Sequence, residues 1–174
     1  MAFLNSAASY LRSLSFVNNV KKMRSSLIEF FKEEGITCEV KDGILMFEYK
    51  EVWYDVNFIA GDDYAECCIV YECNAEEYVN LEQHDKTFLA DKVNAELENH
   101  ATVYAFNDSF KVTSAFYFTS KRILIDLFVK HFNELNESVG MALDIIRDKI
   151  AETAEDEKPK QIGFCVEPEE ANGN

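Results

Sequence analysis

The residues able to do chemistry are few and scattered. Five cysteines occur, Cys38, Cys67, Cys68, Cys73 and Cys165, an odd and irregularly spaced set. Cys67-Cys68 with Cys73 invites a metal reading, but the surrounding residues alternate as a strand does. Neighbouring strand residues point to opposite faces. Cys67 and Cys73 share a face yet stand about 20 Å apart at ~3.3 Å per residue. Zinc sites converge their thiolates through turns such as C-x2-C, so buried, inert thiols are expected. The three histidines, His84, His100 and His131, share no i, i+4 spacing. His84 precedes a helix, His100 is placed at that helix's end, where the dipole favours a cation, and His131 sits beside Phe132 on a later helix. No metal or catalytic role is expected of them.

Carboxylates are abundant, so adjacent pairs arise without purpose. Asp62-Asp63 reads as a turn and Glu76-Glu77 as a polar connection, and neither fits the D-x-[DN]-x-[DN]-G calcium loop. The phosphate-binding G-x-x-x-x-G-K-[ST] and G-x-G-x-x-G motifs and the G-x-S-x-G nucleophile elbow do not occur in the sequence. The expectation is a non-enzymatic chain with no catalytic residue, no metal and no cofactor; the alternative is a small-ligand-binding protein or an enzyme with a pocket under the sheet, where a His or Cys would meet a carboxylate within hydrogen-bond reach.

Charge narrows the partners. Lys plus Arg number 17 and Asp plus Glu 32, a net charge of −15. Such a surface repels phosphate backbones and anionic lipid, so neither nucleic acid nor membrane is an expected partner. A basic polypeptide would be attracted. The opening MAFLNSAASYLRSLSF has no basic leader region, and no stretch approaches the ~18 apolar residues of a membrane span. Together with the odd cysteine count this points to a reduced, cytoplasmic setting.

The elements that must position these residues follow from periodicity. Phe3, Leu4, Ala7, Ala8, Leu11 and Leu14 recur at helical spacing, an accessory helix within residues 1–18. Val20, Met23, Leu27, Phe30 and Phe31 form the stripe of a second helix, which Gly35 ends. Period two then takes over. Ile36, Cys38 and Val40 alternate, Asp42-Gly43 makes a hairpin turn, and Ile44–Tyr49 returns. Lys50-Glu51 leads to Val52–Phe58, and Gly61-Asp62-Asp63 to Tyr64–Cys73. A polar connection with room for one helical turn follows. Asp85 is placed to cap a helix from Lys86 to about Asn99. Thr102–Phe106 and Phe110–Phe118 form a hairpin, and Ser120 is placed to cap a long helix reaching Ile150. Gly140 within it suggests a kink or a close packing contact. The fold expected is α+β: one domain over residues 1–150, with an antiparallel sheet of a four-strand meander plus a C-terminal hairpin. Helices flank it in the order α-α-β-β-β-β-α-β-β-α.

This order resembles that of the YbjN domain family, whose fold is similar to type III secretion chaperones. The stretch from Phe88 to Leu135 carries the resemblance. It has a helix with Ala90-Asp91-Lys92-Val93-Asn94, a hairpin with Val103-Tyr104-Ala105-Phe106 and Phe116-Tyr117-Phe118, and a helix with Phe128, Phe132 and Leu135-Asn136. The resemblance implies a twisted antiparallel sheet with helices, a dimer, and an interaction or regulatory role in which an extended polypeptide is bound.

Two features bear on such a role. Phe47, Tyr49, Trp53, Tyr71 and Tyr117 lie on strands, and aromatics on a sheet face open to solvent would form a partner-binding or dimer surface. Beyond Ile150 the composition shifts: residues 151–174 hold seven acids, two lysines and both prolines, the signature of an acidic, flexible tail. Within it residues 161–166 form a strand-like island. Ile162, Phe164 and Val166 alternate there and are expected to dock on a sheet edge or groove.

Overall fold

The computed structural model describes residue 11 and residues 13–156, the side chains of 153–156 excepted. The tail island and most of the accessory helix therefore lie outside the described residues, although residues 13–17 are helical.

Helix α1 spans Val20–Glu33. The Asn19 side chain accepts a hydrogen bond from the Lys22 amide at its start. Gly35, at φ 70°, ends it. The Gly35 and Ile36 amides donate back to Lys32 and Phe31 carbonyls, which satisfies the last turn. Strands β1 (Cys38–Lys41), β2 (Ile44–Tyr49), β3 (Val52–Ile59) and β4 (Ala65–Cys73) form the meander. Then come helices α2 (Glu76–Val79) and α3 (Gln83–Glu96), strands β5 (Ala101–Ala105) and β6 (Phe110–Phe118), and helix α4 (Lys121–Asp156). All neighbours pair antiparallel in the order β1-β2-β3-β4-β6-β5. The α+β class and the meander-plus-hairpin plan stand as read from the sequence.

Four local expectations are corrected. β1 begins at Cys38 rather than Ile36. Helix α3 begins earlier, with Glu82 at its N-cap; Asp85 lies in the first turn and faces Lys149 at 3.6 Å. The same helix stops at Glu96, so His100 sits in the loop before β5 and not at a helix end. Gly140 makes no close packing contact. The helix runs through it, and a Cβ there would meet nothing within 4 Å.

The core fills one face of the sheet. Phe31 of α1 stacks on Phe47 of β2 (4.9 Å), which stacks on Tyr54 of β3 (5.3 Å). Phe128 and Phe132 of α4 meet Phe47 edge-on at 5.6 and 5.0 Å. The Tyr54 hydroxyl donates to Asn136 Oδ1 at 3.0 Å, and burial pushes its pKa up to about 12. Lys86 is buried too. Its Nζ donates to the Val79 and Asn107 carbonyls at 2.8 and 2.6 Å, joining α2 and α3 to the β5–β6 turn. At the β5 edge the Asn94 side chain accepts from the Val103 amide and donates to its carbonyl, at 2.7 and 2.9 Å. That carboxamide occupies the hydrogen-bonding positions another strand would use.

Candidate functional site

Strand alternation decides what each face of the sheet shows. Leu45, Phe47, Tyr54, Val56, Cys67, Ile69, Val112 and Phe116 point toward the helices and are buried. The intervening residues point the other way. One cross-strand row there runs Glu39, Met46, Asp55, Val70, Thr113, Thr102. No described helix lies over this outer face, and its large side chains remain exposed: Trp53, Ile59, Tyr64, Tyr104 and Tyr117.

Of the five aromatics singled out from the sequence, Trp53 and Tyr117 lie on the outer face, 39% and 63% exposed. Phe47 does not. It is 1% exposed in the aromatic core, which removes it from any surface. Tyr49 and Tyr71 are half-buried on the inner face, Tyr49 against Phe132 (5.1 Å) and Tyr71 against Tyr54 (5.8 Å). The period-two signal placed all five on strands without fixing which phase met the helices. Tyr64 and Tyr104 carried the same signal and were not singled out.

Tyr64 and Tyr117 meet edge to face at 5.4 Å. They border an open depression of about 430 Å³ lined by residues 59–64, Glu66 and Tyr117. A Cβ on Gly61 would collide with the Tyr64 backbone, so this loop shape requires glycine. The face is acidic. Glu48 stands opposite Trp53, and Glu66 opposite both Ile59 and Tyr117. Lys111 pairs with Glu72 at 3.1 Å. Asp55 sits among Met46, Val70 and its neighbours. Burial raises its pKa, Glu72 raises it further, and Lys111 opposes.

Of the described cysteines only Cys67 is buried; Cys38, Cys68 and Cys73 are partly exposed. Cys67 is buried on the inner face and Cys68 points outward. Burial pushes the Cys67 thiol well up and the Cys38 and Cys68 thiols up. These groups are poor nucleophiles. Cys165 lies outside the described residues.

Two of the three histidines converge although no i, i+4 spacing relates them. His131, buried on α4, shares a 2.8 Å hydrogen bond between its Nδ1 and Ser114 Oγ, and stacks on Phe116. Its ring lies 5.2 Å from that of His100. His100 Nδ1 is 3.0 Å from Glu134 Oε2, while Lys130 lies 3.8 Å from Glu134 Oε1. Burial lowers the His131 pKa; His100 and Lys130 lower it further, and Glu134 opposes. Burial works against ionised Glu134, but His100 and Lys130 outweigh it and hold its carboxyl below the ordinary range. Asn99 clamps the loop, donating to the Glu134 carbonyl (3.3 Å) and Ser138 Oγ (2.9 Å) and accepting from the Ala101 amide (2.8 Å). Ser114 and His131 have the contact of a nucleophile and its base, but Ser114 is 1% exposed and no described cavity opens onto it. His84 stays apart, exposed beside Asp85.

No family model and no curated protein matches the chain. Two solved structures are similar. An uncharacterized protein from Methanothermobacter thermautotrophicus shares 18% identity at a TM-score of 0.55, over 74% of this chain and 99% of that one. YbjN from E. coli shares 13% identity at a TM-score of 0.43, over 74% of this chain and 92% of that one. The likeness is one of fold. No described helix is long and apolar enough to cross a membrane.

Proposed function

We propose that the chain is a non-enzymatic interaction module, chaperone-like or regulatory, that binds an extended polypeptide with basic and apolar side chains on the outer face of its sheet. One observation carries this reading. The face is uncovered by any described element, and it alternates exposed aromatics with carboxylates. The aromatics offer apolar area. The carboxylates set the partner's sign. Asp55, already burdened by burial and by Glu72, gains most from an incoming cation. A second copy of the chain, as in a dimer, is the competing occupant. It would bring Glu48, Glu66 and Glu72 against themselves or one another.

The sequence contains one tryptophan, Trp53, and it sits on this face. Its emission therefore reports occupancy directly. Titration with an extended peptide alternating lysine and valine is expected to shift that emission saturably. The glutamate–valine counterpart is expected to do nothing, and Tyr117→Ala to weaken binding at least threefold. Equal responses to both peptides, or no response to either, would refute the reading. A shift with the chain's own concentration would assign the face to a second copy.

We also propose that the tail island Ile162, Phe164 and Val166 is an intramolecular ligand. An apolar groove of about 250 Å³ lined by Tyr78, Phe110, Leu143, Ile146 and Ile150, with Glu77 and Arg147 as its charged residues, suits it.

A further inference from the structure

The cluster of His100, His131 and Glu134 joins two imidazoles and a carboxylate from two separate segments. One ligand atom of each lies within 4.8 Å of the others. His131 and Glu134 stand one turn apart on α4, so they share a face. His100 reaches them because β5 and β6 pair Ala101 with Ser114: the residue before Ala101 is thereby set beside the histidine that Ser114 holds. Each donor is also supported from behind. Ser114 Oγ engages His131 Nδ1 at 2.8 Å and leaves Nε2 for another partner, the usual way a protein fixes the tautomer of a ligating histidine. Asn99 fixes the loop that carries His100. Lys130 engages Glu134 Oε1 and leaves Oε2 toward His100.

We propose that His100, His131 and Glu134 form a binding site for one divalent transition-metal ion of the zinc class. Two nitrogens and one carboxylate oxygen suit zinc and its neighbours rather than calcium or magnesium, which prefer all-oxygen shells. Three protein ligands leave a position for water or an exogenous donor. His100 is the exposed member, so the ion enters from its side and ties the loop before β5 to α4. The site lies on the helix side of the sheet, apart from the outer face, and does not depend on what binds there.

Cobalt(II) titration of the full chain under a non-thiol reductant tests the site. The expected result is saturation at one ion per chain, with visible d–d bands, no near-ultraviolet thiolate charge transfer, and displacement by zinc. His100→Ala and Glu134→Gln are each expected to lower affinity at least tenfold. Ser114→Ala, which frees only the ring behind the ligand, is expected to lower it about 10- to 100-fold. His100 is exposed, so its variant tests the proposal without disturbing the core, and its far-ultraviolet spectrum checks the fold. Thiolate bands would place the ion on cysteine and overturn the proposal. Affinity within twofold of the parent for His100→Ala, or unsaturable uptake indifferent to all variants, would overturn it as well.

Discussion

At the scale of single residues, Asp55 has the clearest consequence. Burial and the Glu72 charge raise its carboxyl pKa above the ordinary value of an aspartate. A carboxyl whose folded pKa is raised contributes stability that is complete below its unfolded pKa and is lost as pH rises through the folded one. At neutral pH charged Asp55 therefore opposes folding. Asp55→Asn is expected to raise stability at pH 7 by a few tenths of a kcal/mol, a small figure because solvent screens a half-exposed group. The gain should vanish below about pH 4, near the unfolded carboxylate value. Urea denaturation at both pH values checks this, and a loss at pH 7 would contradict it. The same substitution should weaken the lysine–valine peptide, so stability and binding move in opposite directions. The carboxylates of the face were legible in the sequence as acidity, but Asp55 as its most perturbed member was not, because the perturbation needs β2 and β4 on either side. Lys86 was equally hidden, since its partners are carbonyls of two distant segments.

At the scale of elements, turn chemistry was the most legible feature and also marks where the fold is strained. Asp42 and Gly43 take φ of 51° and 85°, and Lys50 and Glu51 take 51° and 66°. Both pairs have the positive φ of the tight hairpin turn, which suits the twist of the flanking strands. Only the first has a glycine. A side chain in this left-handed region costs roughly 1–2 kcal/mol, so Glu51→Gly is expected to stabilise the β2–β3 hairpin. The net gain is roughly 0.5–1 kcal/mol, because glycine also loses more freedom on folding. It should appear as a Tm rise of about 1–4 °C. Gly43→Ala should do the reverse. Unchanged melting in both variants would mean that the turns relax freely. The helices were less legible at their ends than in their stripes. Asp85 looked like a cap but lies inside the turn that Glu82 begins. The convergence of His100 with His131 needs the β5–β6 register, which no periodicity reports.

At the scale of the whole molecule, the outer face and the groove beside α4 compete for the tail, and charge separates them. The tail is acidic, and so is the rim of the outer face. The groove is mostly apolar, and its two charged residues, Glu77 and Arg147, offset each other. The groove is also within reach. From Asp156, the end of α4, residues 157–161 span about 17 Å when extended. Ile150, in the groove, lies only about 9 Å back along the helix at 1.5 Å per residue. Deleting residues 158–174 is therefore expected to lower Tm by roughly 2–4 °C, equivalent to about 1 kcal/mol for a chain of this size. It should leave Trp53 emission and the mass by light scattering unchanged. The triple change of Ile162, Phe164 and Val166 to serine should reproduce the loss without altering the tail's charge. A red shift of Trp53 on deletion would instead place the island on the sheet, where it would act as a built-in competitor of the polypeptide partner. A change of mass would place it on a second copy. Unchanged melting, emission and mass would leave the island without a docking role, and the groove would need another occupant.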